Sequence, residues 1–221
     1  MTTIAVTGAT GSLGGQVIRL LSRDAGDRVV ALSRRPAVAS SSVDVRIADY
    51  ADRDALRRAF ADVDTLVFVS SDGEGTKVLA HHLNVVDAAR DCGVTHIVAL
   101  SSVDADVESP FCYAITNGLT EVAIRASGCG YSIVRASLFA EFFREFLLPA
   151  RTTGQIQLPA DDGRVGLVSR SDVARCLAAL ARSAPSGRSH DVTGPATLDV
   201  SAMAEIATEA WDRPVLYRPI D

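Results

Sequence analysis

A short β-branched strand that runs straight into three glycines spaced three residues apart, with an apolar helix behind them, constrains this chain most. The run is Ile4-Ala5-Val6-Thr7-Gly8-Ala9-Thr10-Gly11-Ser12-Leu13-Gly14. A Cβ at position 8 would obstruct the tight strand-to-helix turn. At position 11 it would stand between the main chain and a pyrophosphate, and at position 14 it would hold the new helix off the sheet. The free N–H groups and positive end of that helix then face an anion. In this strand–turn–helix setting the glycines read as a dinucleotide-binding fingerprint rather than a plain glycine-rich turn. Gly8, Thr10, Gly11, Ser12, Leu13 and Gly14 are the cofactor contacts expected there.

Downstream, apolar strands alternate with amphipathic helices. Strands are predicted at Thr3–Thr7, Arg28–Leu32, Val43–Ile47, Thr65–Val69, Thr95–Leu100 and Tyr131–Val134, and helices at Leu13–Arg23, Arg53–Ala61, Lys77–Cys92 and Ala114–Ser127. In the third helix Leu79, Leu83, Val86 and Ala89 share one face, and Gly93 ends it. Unbroken apolar strands between such helices imply a parallel sheet covered on both faces. Right-handed crossovers make it a doubly wound Rossmann sheet, with its ligand crevice beyond the carboxyl ends of the strands. Gly8, Ser33, Val69 and Ser101 all fall at that edge, and Val69, Ser70, Ser71 and Ser101 are assigned to the cofactor.

After Arg135 the pattern loosens. Leu138–Leu148 carries four phenylalanines before Pro149 and Gly154 break it. A strand at Val165–Val168, a helix opened by Ser171-Asp172, a strand at His190–Thr193 and a helix at Ser201–Trp211 follow. The chain therefore reads as α/β, with a Rossmann core at 1–135 and a small C-terminal substrate lobe at 136–221 packed on the same domain.

Composition narrows the function class. A net charge of −5 over 221 residues, with no basic stripe interleaved with aromatics, argues against nucleic acid or an anionic membrane as partner. Cys92, Cys112, Cys129 and Cys176 are scattered, without a C-x-x-C pair or paired histidines nearby, and read as reduced, mostly buried thiols of a cytoplasmic protein. His81-His82 are adjacent, so on a helix they point in different directions and make no metal site. The first strand begins at Thr3, which leaves no room for a signal peptide, and no apolar run is long enough to span a bilayer. The expectation is a monomer or homodimer acting on a small molecule.

The position after the second strand selects the cofactor. An NAD site places Asp or Glu there to take the ribose 2′-hydroxyl. Here it reads Ala31-Leu32-Ser33-Arg34-Arg35-Pro36, with no acid and two guanidinium groups. An arginine fork matches a 2′-phosphate, so NADPH is favoured, with NADH the alternative. Asp49 and Tyr50, after the third strand, are placed beside the adenine, though Asp49 equally suits a plain turn.

The motifs T-G-A-T-G-S-L-G, S-R-R-P at 33–36, A-D-Y at 48–50, V-S-S at 69–71 and D-A-A-R-D-C-G-V at 87–94 occur in order. Together they resemble the atypical, NmrA-like short-chain dehydrogenase/reductases, and within them the NADPH-dependent quinone oxidoreductase and triphenylmethane reductase branch. The resemblance runs from Thr3 to about Ile220. It implies reduction of quinones or similar flat apolar acceptors by direct hydride transfer. Members continue past the equivalent of Asp221 with helices that wall the substrate pocket, which implies either a C-terminally short chain or a more open pocket.

The wider superfamily uses a Ser or Thr after the fifth strand and a Tyr-x-x-x-Lys on the next helix, the lysine lowering the tyrosine pKa. Ser102 and Tyr113 fit the first two roles, but Asn117 stands where the lysine should be. Alcohol dehydrogenation through Tyr113 is thereby disfavoured, whereas a quinone is already a good hydride acceptor. Tyr113 is then either a hydrogen-bond donor to a substrate oxygen or a packed aromatic. Phe139, Phe142 and Phe143 sit where the branch builds its substrate pocket, although with Phe146 their spacing also suits ordinary core burial. Arg135 is read as bonding loop backbone, and Asp172 as helping to cap a helix. Two other functions compete: an NADP(H) sensor without catalysis, as in NmrA-type regulators, and a sugar-nucleotide epimerase or dehydratase, which would need the Tyr–Lys pair.

Overall fold

The computed structural model describes residues 1–23, 26–35, 43–71 and 75–220; Pro36 of the S-R-R-P motif lies outside them. The chain runs β1 (Thr3–Val6), α1 (Ser12–Leu21), β2 (Arg28–Ser33), β3 (Asp44–Ile47), α2 (Arg53–Ala59), β4 (Thr65–Phe68), α3 (Thr76–Asp91), β5 (His96–Ser102), α4 (Cys112–Ala126) and β6 (Gly130–Ala136). It continues through α5 (Ala140–Leu147), α6 (Ala150–Thr153), β7 (Gln155–Leu158), α7 (Arg170–Ala181), β8 (Arg188–Val192), α8 (Val200–Trp211) and β9 (Leu216–Pro219).

Seven strands form one sheet in the order β3-β2-β1-β4-β5-β6-β8. β1 pairs in parallel with β2 and β4, β2 with β3, and β4 with β5. The chain winds outward through β2 and β3, then returns to the other side of β1 for β4, β5 and β6. This is the doubly wound sheet expected, with its switch point between β1 and β4. Ile4, Ala5, Val6, Leu66, Val67 and Phe68 are all fully buried, which is why these strands are apolar throughout rather than alternating.

One face of the sheet packs on α2 and α3 through Leu56, Val85, Val86 and Ala89. In α3 the buried stripe is Val78, His82, Val85, Val86 and Ala89, while Leu83 stays 38% exposed. The face predicted through Leu79 and Leu83 is thus rotated by about one residue. A histidine occupies an inward position that a hydrophobic pattern passes over.

The chain divides into two compact units, Met1–Arg135 with Ser171–Asp191, and Ala136–Arg170 with the chain from Val192 onward. The stretch after 135 is therefore not one segment: residues 171–191 belong to the sheet unit. In the second unit β7 and β9 form a parallel pair. Each is only four residues long, and Leu216-Tyr217-Arg218-Pro219 does not alternate apolar and polar, so neither carries a strand pattern in the sequence. Ala150, Ile156, Val200, Ala204, Ala207 and Val215 make that unit's core. The strand predicted at Val165–Val168 is instead two isolated bridges, Val165 to Leu198 and Phe139 to Val168. Gly166 between them lacks the side chain that a strand interior packs. No described helix is long and apolar enough to cross a membrane.

Candidate active site

The glycine turn is built by backbone contacts that admit no side chain. Gly8 has φ +63°, the left-handed region, and its carbonyl accepts the Gly11 N–H at 2.9 Å. The Ala9 N–H donates to the Leu32 carbonyl at 3.1 Å, which ties the turn to β2. A Cβ on Gly14 would stand 2.3 Å from the Gly8 oxygen and 2.7 Å from its carbonyl carbon. α1 therefore starts as close to the turn as a helix can. Gly11 caps it with main chain alone, and no acidic residue lies in its first turn. The first-turn N–H groups are left for an acceptor, which is the electrostatic need of a pyrophosphate. Gly8, Thr10, Gly11 and Ser12 are exposed around this cradle, whereas the Leu13 side chain is buried. A dinucleotide fits these residues, with Leu13 and Gly14 contributing main chain only.

β1 is locked to β4 just beneath the turn. The Thr7 hydroxyl accepts the Val69 N–H at 2.9 Å and donates to the Val69 carbonyl at 3.3 Å. The Tyr50 hydroxyl donates to the same carbonyl at 2.9 Å, and its ring packs edge-on against Phe68. Burial pushes the Tyr50 phenol well above its ordinary pKa, against the pull of Thr7 and the Arg34 charge, so it stays a neutral donor. The Tyr50 hydroxyl is thus committed to the strand edge. Asp49 accepts the Ala51 N–H at 2.9 Å and so shapes a turn. The Asn84 amide, on α3, donates to the Tyr50 carbonyl at 3.0 Å and fixes this segment from below. Arg34 and Arg35 follow β2 as exposed side chains, and neither pairs with a described acidic residue.

A buried histidine reaches the next segment. The Ser71 N–H donates to His82 Nε2 at 3.2 Å, and His82 Nδ1 lies 2.9 Å from the Thr120 hydroxyl on α4. Burial, with the neighbouring His81 adding to it, pulls His82 down to about 4, so the ring is neutral near pH 7. Ser70 is half-buried beside it.

At the end of β5 the two serines have different fates. The Ser101 hydroxyl donates to the buried Glu121 carboxylate at 2.6 Å, so its side chain is committed to the interior and not to a cofactor. Arg135 donates to both oxygens of Glu121, at 2.9 and 2.7 Å, and Arg125 adds a third bond at 2.7 Å. Arg135 therefore serves a buried carboxylate rather than loop backbone. Burial works against ionisation of Glu121, but the bonds from Arg135, Ser101 and Arg125 hold its carboxyl below the usual range. Ser102 is half-buried and accepts the Asn117 amide at 2.8 Å. Tyr113, one turn earlier on α4, is 41% exposed and lies 5.4 Å from the Phe111 ring. Among the described residues its hydroxyl has no hydrogen-bond partner. Asn117 thus serves Ser102, and no cation–ring contact to Tyr113 is found among the described residues.

The aromatic residues belong to the second unit. Phe143 packs on that unit's core. Phe139 precedes α5 and lies under the Arg170 guanidinium at 5.3 Å. Phe142 is 48% exposed and meets Phe146 edge-on at 5.2 Å. Asp172 pairs with Arg175, while the first N–H of α7 is taken by the Glu141 carboxylate at 3.0 and 3.1 Å. That helix start therefore has an acceptor 29 residues away, which no local capping pattern announces.

Comparison with known proteins adds to this geometry. Residues 8–184 match a family model described as NAD(P)H-binding. Quinone oxidoreductase 2 of Escherichia coli (strain K12) is 31% identical over 221 residues, covering 97% of this chain and 77% of that protein. Triphenylmethane reductase of Citrobacter sp., solved as a complex with NADP(H), has a TM-score of 0.90 at 33% identity, over 99% of this chain and 79% of that one. An NADPH-dependent quinone oxidoreductase from Escherichia coli, solved with NADPH, has a TM-score of 0.92 at 30% identity, over 99% and 78%.

Proposed function

We propose that this chain, which belongs to the NAD(P)H-binding family and is an oxidoreductase, reduces a quinone or a similarly flat, apolar acceptor. NADPH, when bound, supplies the hydride. The observation that carries this reading is the Asn117–Ser102 bond where a lysine–tyrosine pair would otherwise stand. Oxidoreduction of an alcohol needs a group that exchanges its proton near neutral pH, and a tyrosine without a neighbouring cation is a poor one. An acceptor that is already electrophilic needs chiefly to be held in place, with a donor near its oxygen.

In this reading the main chain around Gly8, Gly11 and Gly14 holds the pyrophosphate, and Arg34 with Arg35 takes the 2′-phosphate. The Asn117 amide occupies a lone pair of Ser102, which leaves the Ser102 O–H to donate to the acceptor oxygen as negative charge develops there. Water then supplies the proton that completes the hydroquinone. Of the three phenylalanines Phe142 is the most exposed, since Phe143 packs on its own unit's core and Phe139 lies under Arg170. Four free cysteines support a reducing compartment, hence a cytoplasmic location, and a monomer or homodimer completes the proposal.

Two substitutions test these roles. Replacing Arg34 and Arg35 together by Ala should weaken NADPH much more than NADH, since charge-assisted contacts to phosphate are worth roughly 1.5–3 kcal/mol, about one to two decades in affinity. An equal loss for both cofactors would show that these arginines do not read the 2′-phosphate. Tyr113→Phe should cost less than about tenfold in turnover, whereas removing an essential acid–base group costs about 10²–10⁴. Near-complete loss of turnover with NADPH binding intact would restore a tyrosine-based mechanism.

A further inference from the structure

We propose that His82 is a positioning residue for the cofactor, holding the Ser71 main chain in the conformation that bound NADPH requires. The proposal rests on NADPH occupying the carboxyl edge beside the glycine turn. The segment Val69–Ser71 leaves β4 at that edge, next to Gly8, where a Cβ would already touch Val69 at 3.4 Å. Its first residue is pinned to β1 by the paired bonds between Thr7 and Val69. Its last is pinned by His82, which is buried in α3 with its ring edge-on to Phe68 at 5.3 Å.

The hydrogen bonds fix the state of the ring. The Ser71 N–H can only donate, so Nε2 must carry a lone pair, and the Ser71 hydroxyl lies 3.2 Å from the same nitrogen. The Thr120 hydroxyl spends its proton on the Thr116 carbonyl at 2.7 Å, so its oxygen accepts from Nδ1–H. His82 is therefore the neutral Nδ1–H tautomer, with both nitrogens satisfied. An apolar residue would fill this place in the α3 stripe without the desolvation cost of an imidazole. What the imidazole adds is a rigid link from α4, through Thr120, to the main chain at Ser71. α4 also carries Asn117 and Tyr113, so the link joins the two sides of the proposed site.

The test compares three variants by calorimetric titration with NADPH and by thermal unfolding of the cofactor-free protein. His82→Leu and His82→Asn, neither of which reaches Ser71, should weaken NADPH about tenfold, the scale of one hydrogen bond to a segment that must be ordered. His82→Gln places an acceptor oxygen where Nε2 was and should bind within about threefold of the unsubstituted protein, while melting as low as His82→Asn. Unchanged NADPH affinity in all three overturns the proposal, whatever their melting temperatures. Failure of the unsubstituted protein to bind NADPH overturns the underlying cofactor reading as well, and so is distinguishable. Should the variants not fold, imidazole nitrogen spectra of the unsubstituted protein decide. The expected result is an Nδ1–H tautomer whose Nε2 resonance moves as NADPH saturates. An Nε2–H tautomer, or no movement, overturns the proposal.

Discussion

Gly14→Ala is expected to raise the dissociation constant for NADPH at least about a hundredfold and to destabilise the protein by roughly 2–3 kcal/mol. The added methyl would lie 2.3 Å from the Gly8 oxygen, 2.7 Å from the Gly8 carbonyl carbon and 3.0 Å from the Thr7 oxygen. All three are main-chain atoms, and the turn is held by the Gly11 and Ala9 amides, so it has little room to yield. Relief must come from α1 moving away. Overpacking of this kind costs typically 1–3 kcal/mol. The same movement carries the first-turn N–H groups out of reach of the pyrophosphate, and each charge-assisted bond lost is worth about 1.5–3 kcal/mol. Gly15→Ala is the matched control, because its methyl meets the Ala9 oxygen at 3.4 Å and Arg19 Nη1 at 3.8 Å, both ordinary contact distances. That variant should bind NADPH normally and gain about 0.5–1 kcal/mol from a helix-interior glycine replaced. Calorimetry and thermal denaturation of the pair check both statements. Full NADPH affinity in a folded Gly14→Ala would remove the pyrophosphate from this turn.

Glu121→Gln carries the largest expected loss of stability, about 3 kcal/mol. Glu121 is buried and accepts from Arg135 twice, from Arg125 and from Ser101. Glutamine keeps the shape but removes the charge and turns one acceptor into a donor facing an arginine. Breaking a buried pair costs about 3–5 kcal/mol. The lower end applies because the side chains of Arg135 and Arg125 are partly exposed and keep some contact with water. The pH dependence follows from the depressed carboxyl pKa. Its contribution is complete above the unfolded-state value and is lost as pH falls through the folded-state value. The gap between the two proteins in urea unfolding should therefore be widest near neutrality and shrink toward strongly acid solution. Equal stability at pH 7 would show that the cluster holds nothing together.

These cases also show what was legible before the structure. The turn at Gly8–Gly14 and the apolar strands are local patterns, and each dictates its own backbone, so the doubly wound sheet followed from them. Asn117 in the lysine position was equally plain, because it is a departure at one fixed spacing. Glu121 was not legible. On α4 it reads as an ordinary surface acid, and its burial depends on Arg135, a residue on β6. Ser101 reads as a cofactor contact for the same reason, whereas the acceptor of its hydroxyl lies 20 residues along the chain. His82 left one signal, its place in the stripe Val78–His82–Val85–Ala89, but Leu79 and Leu83 offered a competing apolar face. Arg34 and Arg35 are exposed after β2, and their contact with a 2′-phosphate is the proposal that the double substitution tests.

Anaerobic mixing of the protein with NADPH and a panel of quinones tests the central claim most directly, with cofactor loss and hydroquinone formation followed together. The account predicts one NADPH consumed for each hydroquinone formed, with NADH a poorer donor. Tight calorimetric binding of NADPH without consumption by any acceptor would contradict it and make the protein a sensor of the cofactor instead.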